Sequence, residues 1–432
     1  MFYKRIELLQ TLNALKTGDL DLLTFINDVC DRIEQVEPYI ASLIPENNRR
    51  QRLIKEANIL LAQYPDIQKR PSLFGLPVGI KDIFRVDGFE TTCGSKLPPS
   101  LFEGKEAEIV TRLKGAGALI LGKTVTTEFA YFQPGPTKNP NNTDFTPGGS
   151  SSGSAAAVAA GLTPLAFGTQ TIGSITRPAA YCGVVGVKPS TNSISTAGII
   201  PFSTTLDHVG FFSHDIEGAE LIASLFCDEW HFLNKENYKE PVIGIPSFEY
   251  MTQTESKILD AFDLNVDKIE SSVYKIIRTH LFKEIEKINT SHKQLAAREF
   301  ADTHKVWYAR YANLYSAHSA QLIEEGLKVT ESISKEILSY RERVMSEVNE
   351  LMDKEGIDVW ISPSSLTLPP QGLTSTGSPL MNLPWTFTGL PTITIPVSRT
   401  SLNLPVGLQF SGRMNGLKNL FTHVKQIKTI FS

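Results

Sequence analysis

Residues 148–183 read GGSSSGSAAAVAAGLTPLAFGTQTIGSITRPAAYCG, and this stretch narrows both the fold and the chemistry. It is built from Gly, Ser, Thr and Ala, carries one arginine, Arg177, and contains neither histidine nor carboxylate. Side chains this small let backbone approach backbone, and they leave hydroxyls and bare peptide N–H groups as the available chemistry. Upstream, GLPVGIKDIFRVDG (75–88) places Lys81 behind an apolar, strand-like run. A lysine with two separated serine clusters points to nucleophilic acyl transfer by a Ser–Lys arrangement rather than Ser–His–Asp. No histidine occurs before His208, so the region carrying these motifs cannot supply an imidazole.

Around this stretch, from Leu73 to about Val187, short β-rich runs (GLPVGI, ALILG, VVGVKP) alternate with helix formers such as EAEIVTRLKGAG and SAAAVAAG. That alternation predicts an α/β sheet covered by helices. Residues 1–65 read as helices. Leu22, Phe25, Ile26, Val29, Cys30 and Ile33 recur on one amphipathic face, with Asp19 or Asp21 placed to cap it. Residues 251–355 are charged, poor in glycine and helical in pattern, and are expected to insert into or cover the sheet. Their aromatics Trp307, Tyr308, Tyr311 and Tyr315 are candidates for a substrate wall, although packing of the helices against each other is the favoured role. After Ile357 the β-rich runs return as VWISPS, TITIP and VGLQFSG.

A chain of 432 residues with net charge −4 has the composition of a globular protein and argues against a nucleic-acid surface. The N-terminus has no apolar signal-like core, and no segment is long and apolar enough to span a bilayer, so cytoplasm is the expected location. Cys30, Cys93, Cys182 and Cys227 are scattered without C-x-x-C spacing, which predicts neither a disulfide framework nor a metal site. Cys182, in AAYCGVVGV, reads as a buried structural thiol.

Two pattern matches are set aside. GALILGKT (117–124) satisfies the phosphate-loop spacing, but Ala-Leu-Ile-Leu is itself the strand, so its amides would be used by the sheet. Gly149-Ser-Ser-Ser-Gly153 matches the nucleophile elbow with Ser151 as its serine. The residues before it, NPNNTDFTPG, are loop rather than strand, and Asp207 and His208 are adjacent where a triad needs them on separate loops.

The 148–183 stretch resembles the signature of the amidase signature family. GLPVGIKD, GAGALILGKT and TEFAYFQPGPTKNP precede it, and GVVGVKPS, GLPTITIP and GLQFSGR follow, all in the family's order. The resemblance implies a large, mixed, mainly parallel, twisted central sheet covered on both faces by helices. Residues 66–432 would form one such domain after the 1–65 helical segment, with 251–355 as its helical insertion. Carried over by motif, Ser174 is the nucleophile, Ser150 the bridging serine after a cis Gly149–Ser150 bond, and Lys81 the base. The amides of Thr171, Ile172, Gly173 and Ser174 would hold the oxyanion. Burial among small residues would lower the lysine pKa by about 3–5 units, so that a neutral amine can take the Ser150 proton as Ser150 takes that of Ser174.

Three residues depart from the commonest pattern: Ile172 stands where Gly is common, Gln170 where Asp is frequent, and Arg177 lies one position late. Ile172 is expected to narrow the acyl site, and Arg177 to clamp loop carbonyls. Tyr131, Phe132, Gln133 and Gly149 are candidate substrate contacts, while Ser151, Ser152 and Ser154 are expected to satisfy backbone groups at a helix start. The activity implied is cofactor-free, metal-free hydrolysis of a small carboxamide. An amide-forming acyltransferase, a glutamine-hydrolysing amidotransferase subunit with a partner, and a silent scaffold are the rivals. Intact Lys81, Ser150 and Ser174 argue against the scaffold. A membrane partner is not expected, and a homodimer is one assembly open to the chain.

Overall fold

The computed structural model describes residues 2–232 and 240–431. Its centre is a ten-stranded sheet made of β1 (Pro77–Lys81), β2 (Leu119–Thr124), β3 (Leu165–Gln170), β4 (Val185–Lys188), β5 (His208–Ser213), β6 (Ile243–Ser247), β7 (Ile276–His280), β8 (Val359–Pro363), β9 (Thr392–Arg399) and β10 (Pro405–Ser411). The strand order is β2-β1-β3-β5-β4-β9-β10-β8-β6-β7. The sheet is mixed, as expected, but its balance differs from a mainly parallel one. Parallel pairing is confined to the two wings, β2-β1-β3 and β8-β6-β7. The five central pairings, from β3·β5 to β10·β8, are antiparallel. Parallel neighbours need a crossover, and β9 and β10 are instead joined by a short turn closed by Thr400 and Leu404.

The signature stretch supplies the middle of the molecule. Helix Ser152–Ala159 and helix Thr176–Cys182 are buried along their whole length, with β3 between them in sequence. In the first of them only small side chains permit this. A Cβ on Gly153 would stand 2.2 Å from the Ser42 carbonyl oxygen and 2.3 Å from the Val125 nitrogen. Ser151, Ser152 and Ser154 donate to the carbonyls of Thr169, Val125 and Phe167, the backbone role expected of them. The strand through GALILGKT is β2, and its Lys123 is taken by Asp82 at 2.7 Å, which removes the phosphate-loop reading.

Over one face lie helices Leu22–Ile40 and Arg49–Gln63, while helix Leu8–Thr17 packs its Leu8 and Leu12 into the cluster that holds Val78, Ile80 and Ile216. The predicted stripe on helix Leu22–Ile40 is buried, from Leu22 to Ile33 and on to Val36 and Ile40, and packs over Ala155–Ala160. Asp21 is its cap, accepting from the Thr24 amide at 2.8 Å. Each large apolar side chain buried there contributes about 1.5–3 kcal/mol. Residues 251–355 form helices Ser256–Glu270, Ile285–Tyr311, Ala317–Gly326 and Glu331–Glu355, and also the edge strand β7. β7 escapes a helical reading of the sequence because IIRTH is half exposed at a sheet edge and shows no clean alternation. Among the described residues, no helix is long and apolar enough to cross a membrane.

Candidate active site

β1, between the edge strand β2 and β3, ends at Lys81, which is fully buried. Its Nζ donates to Ser150 Oγ at 2.7 Å and to Thr169 Oγ1, at the end of β3, at 2.9 Å. The Gly149–Ser150 peptide bond is cis, as the resemblance implied. Burial in this low-polarity setting pushes the Lys81 amine down to about 7, with the Asp207 carboxylate opposing the shift. Asp207 is itself pushed up to about 6 by burial, although Thr171 and the Phe202 and Ser203 amides donate to it. Its neighbour His208 faces elsewhere, bonding the Leu206 carbonyl and Thr191, so the two do not form a triad.

Ser174 lies in the turn between β3 and helix Thr176–Cys182 and is 6 % exposed, against 2 % for Ser150. Among the described residues, no side chain hydrogen-bonds the Ser174 hydroxyl. Gln170, which stands where Asp is frequent, serves the helix that follows the turn. Its Oε1 accepts from the Ile175 and Thr176 amides at 2.8 and 2.9 Å, capping the helix that follows the turn. The turn's carbonyls are claimed one after another. Thr171 O accepts from His292 Nε2 at 2.8 Å, Ile172 O from Thr386 Oγ1 at 2.7 Å, and Gly173 O from the Arg177 amide at 3.1 Å. The amides of Ile172, Gly173 and Ser174 donate to no group among the described residues. Gly173 must be glycine, since a Cβ would stand 2.4 Å from Asn382 Oδ1.

Arg177 is buried and donates through Nη2 to the Gly149 carbonyl at 2.7 Å, the clamp expected of it. Cys182 is likewise buried, with its thiol toward the Pro147 carbonyl and its pKa pushed well up by burial.

Beside the turn is a cavity of about 350 Å³, walled by Tyr131, Phe132, Ile172, Phe202, Leu322 and Leu383. Gln133 and Gly149, the other two expected substrate contacts, are not part of this wall. Gln133 accepts from the Glu128 amide through its carbonyl, and Gly149 is wedged between Thr127 and Thr376. The far wall comes from helix Ile285–Tyr311 through Asn289, His292, Lys293 and Ala296. The aromatics considered for that purpose pack elsewhere: Trp307 edge-on against Phe102 at 5.3 Å, and Tyr315 against Phe129 at 5.3 Å.

A family model described as amidase matches residues 24–416. The chain belongs to the amidase signature family. The A subunit of the glutamyl-tRNA(Gln) amidotransferase of Staphylococcus saprophyticus is 28% identical over 498 aligned positions, covering 100% of this chain and 98% of the relative. Its counterpart from Natranaerobius thermophilus is 29% identical, covering 94% of this chain and 92% of its own. A crystal structure of an amidase superposes with a TM-score of 0.89 at 26% identity, covering 99% of this chain and 100% of the other. The peptide amidase of Stenotrophomonas maltophilia shares the fold, with a TM-score of 0.81 at 22% identity over 99% of this chain and 98% of that one. The alignment with the S. saprophyticus relative is longer than the 432 residues here, so that relative carries segments this member lacks.

Proposed function

We propose that this amidase signature protein hydrolyses the C–N bond of a small carboxamide through an acyl-Ser174 intermediate, with Ser150 and Lys81 as its proton relay. The observation that carries the reading is the 2.7 Å contact from a fully buried Lys81 to Ser150, with the amine pushed down to about 7. Near neutrality that amine is unprotonated often enough to act as a base. Ser174 passes its proton to Ser150 as Ser150 passes its own to Lys81, and Ser174 Oγ bonds to the carbonyl carbon. The negative charge that develops on oxygen meets the amides of the Thr171–Ser174 turn. The proton then returns from Lys81 through Ser150 to the nitrogen, the C–N bond breaks and the amine leaves. Water attacks the ester by the same relay, giving the free acid and restoring Ser174.

The amidotransferase reading draws support from the two relatives that belong to such enzymes. Against it stands the chemistry of the cavity. Glutamine presents an ammonium and a carboxylate, whereas the wall beside Ile172 is mostly apolar and, among the described residues, its one cation, Lys293, is paired with Glu325 at 2.9 Å. An amide whose acyl part is uncharged and apolar fits that wall better. Capture of the acyl-enzyme by an amine instead of water would make the same site an amide-forming acyltransferase. Incubation with aliphatic amides, aryl amides and glutamine, with and without an added amine, should release ammonia and acid from the apolar amides. Ammonia from glutamine alone would favour the amidotransferase reading, and a new amide would favour the acyltransferase.

Ile172 should set the acyl preference, because its side chain forms part of the cavity wall. Ile172→Gly is expected to raise the rate on bulky acyl groups relative to acetyl. It should also lower the melting temperature modestly, since glycine frees the unfolded backbone. An unchanged ratio of rates in a folded variant would show that this side chain does not bound the acyl group.

A further inference from the structure

The Thr171–Ser174 turn is tied from outside by side chains that come from distant parts of the chain. In a trans peptide the carbonyl and the following N–H point in opposite directions, so a donor that fixes one aims the other. His292 on the Thr171 carbonyl therefore aims the Ile172 amide, and Thr386 on the Ile172 carbonyl aims the Gly173 amide. The carbonyl can only accept, so His292 Nε2 must carry a hydrogen. His292 is buried, and burial pushes its pKa down to about 4, which keeps the ring neutral near pH 7. Its place on helix Ile285–Tyr311 matters as well. Asn289, Lys293 and Ala296 lie three positions before it, one after and four after, and the same run of the helix walls the cavity.

We propose that His292 is a positioning residue, holding the oxyanion-binding turn in register from the helix that also walls the acyl cavity. The proposal rests on the acyl-Ser174 reading above. Removing a direct oxyanion donor costs about 100–1000-fold in kcat, so loss of a residue that only aims one should cost about 10–100-fold. The loss should fall on kcat, because the hydrogen bond acts where charge develops and not where the acyl group rests.

The test compares His292→Phe, which keeps a ring but no donor, with His292→Gln, whose amide can reach the same carbonyl. The probes are p-nitrophenyl butyrate and a fluorophosphonate that labels the active serine. Expected are a 10–100-fold fall in kcat and in labelling rate for His292→Phe, KM within threefold, and substantial recovery in His292→Gln. If His292→Phe does not fold, His292→Gln is compared with His292→Ala and must exceed it at least tenfold in kcat. A wild type that is not labelled on Ser174 would defeat the acyl-Ser174 reading itself. Labelling on Ser174 at equal rates in wild type and His292→Phe, or equal kcat in the Gln variant and its donor-less partner, would overturn the positioning role alone.

Discussion

Ser174→Ala is expected to abolish turnover, with a loss of at least about 10,000-fold, while leaving the fold unchanged. The change removes one oxygen from a turn of small residues, and no hydrogen bond to that hydroxyl from a side chain is given up among the described residues. Wild type incubated with a fluorophosphonate should gain one adduct, found by mass spectrometry on the peptide carrying Ser174. Three other serines crowd the same centre, and the geometry separates them. Ser150 is spoken for by Lys81, and Ser151 and Ser154 are spent on the β3 backbone. An adduct on Ser151 would restore the nucleophile-elbow reading that the loop before it and the separate facing of Asp207 and His208 argue against. Full activity in Ser174→Ala would remove the acyl-enzyme altogether.

What could be read ahead of the structure was whatever is written locally. The stripe from Leu22 to Ile33 became a buried helix face because period and burial are properties of one segment. Lys81, Ser150 and the TIGS turn were legible because the motifs around them keep fixed spacing, and the fold brings Lys81 and Ser150 into contact. His292 was not legible. It sits in INTSHKQ on a charged helix, and its partner is 121 positions away. Thr386 meets Ile172 across 214 positions, and Thr169 reaches Lys81 only because β1 and β3 are neighbours. Such contacts depend on strand order, which local pattern does not encode. The antiparallel centre was missed for the same reason: an alternation of strand and helix describes the wings, while β9 and β10 follow each other with only a turn between. Gln170 is a middle case. Its position departs from the commonest pattern, yet its carboxamide keeps an accepting oxygen that a helix cap needs while donating from the other side to Thr386 at 2.9 Å.

Lys81 should give the second large effect and the clearest dependence on pH. Lys81→Ala is expected to lose about 100–10,000-fold in acylation, the range of a general base, and Lys81→Arg should do no better because a guanidinium stays protonated. In wild type the reactive form is the neutral amine. The rate should therefore rise with pH through an apparent pKa of about 7 and level off above it, far below the range of a free lysine. The same shift has a consequence for stability with a definite sign. In the unfolded chain the amine holds its proton up to about 10.5, and in the folded chain only to about 7, so between those values the unfolded state binds more protons. Folding is penalised below pH 7, and the penalty is relieved as pH rises through that window by up to about 1.4 kcal/mol per unit. Lys81→Met has no such group. The melting temperature of wild type should thus gain on that of Lys81→Met between pH 7 and 9, a comparison in which Lys188, whose buried amine is also pushed down to about 7 but does not face Lys81, is common to both proteins and cancels. A rate that stays flat through pH 7, or full activity in Lys81→Arg, would eliminate the neutral amine as the base. A constant gap in melting temperature would show that Lys81 keeps its proton in the folded protein.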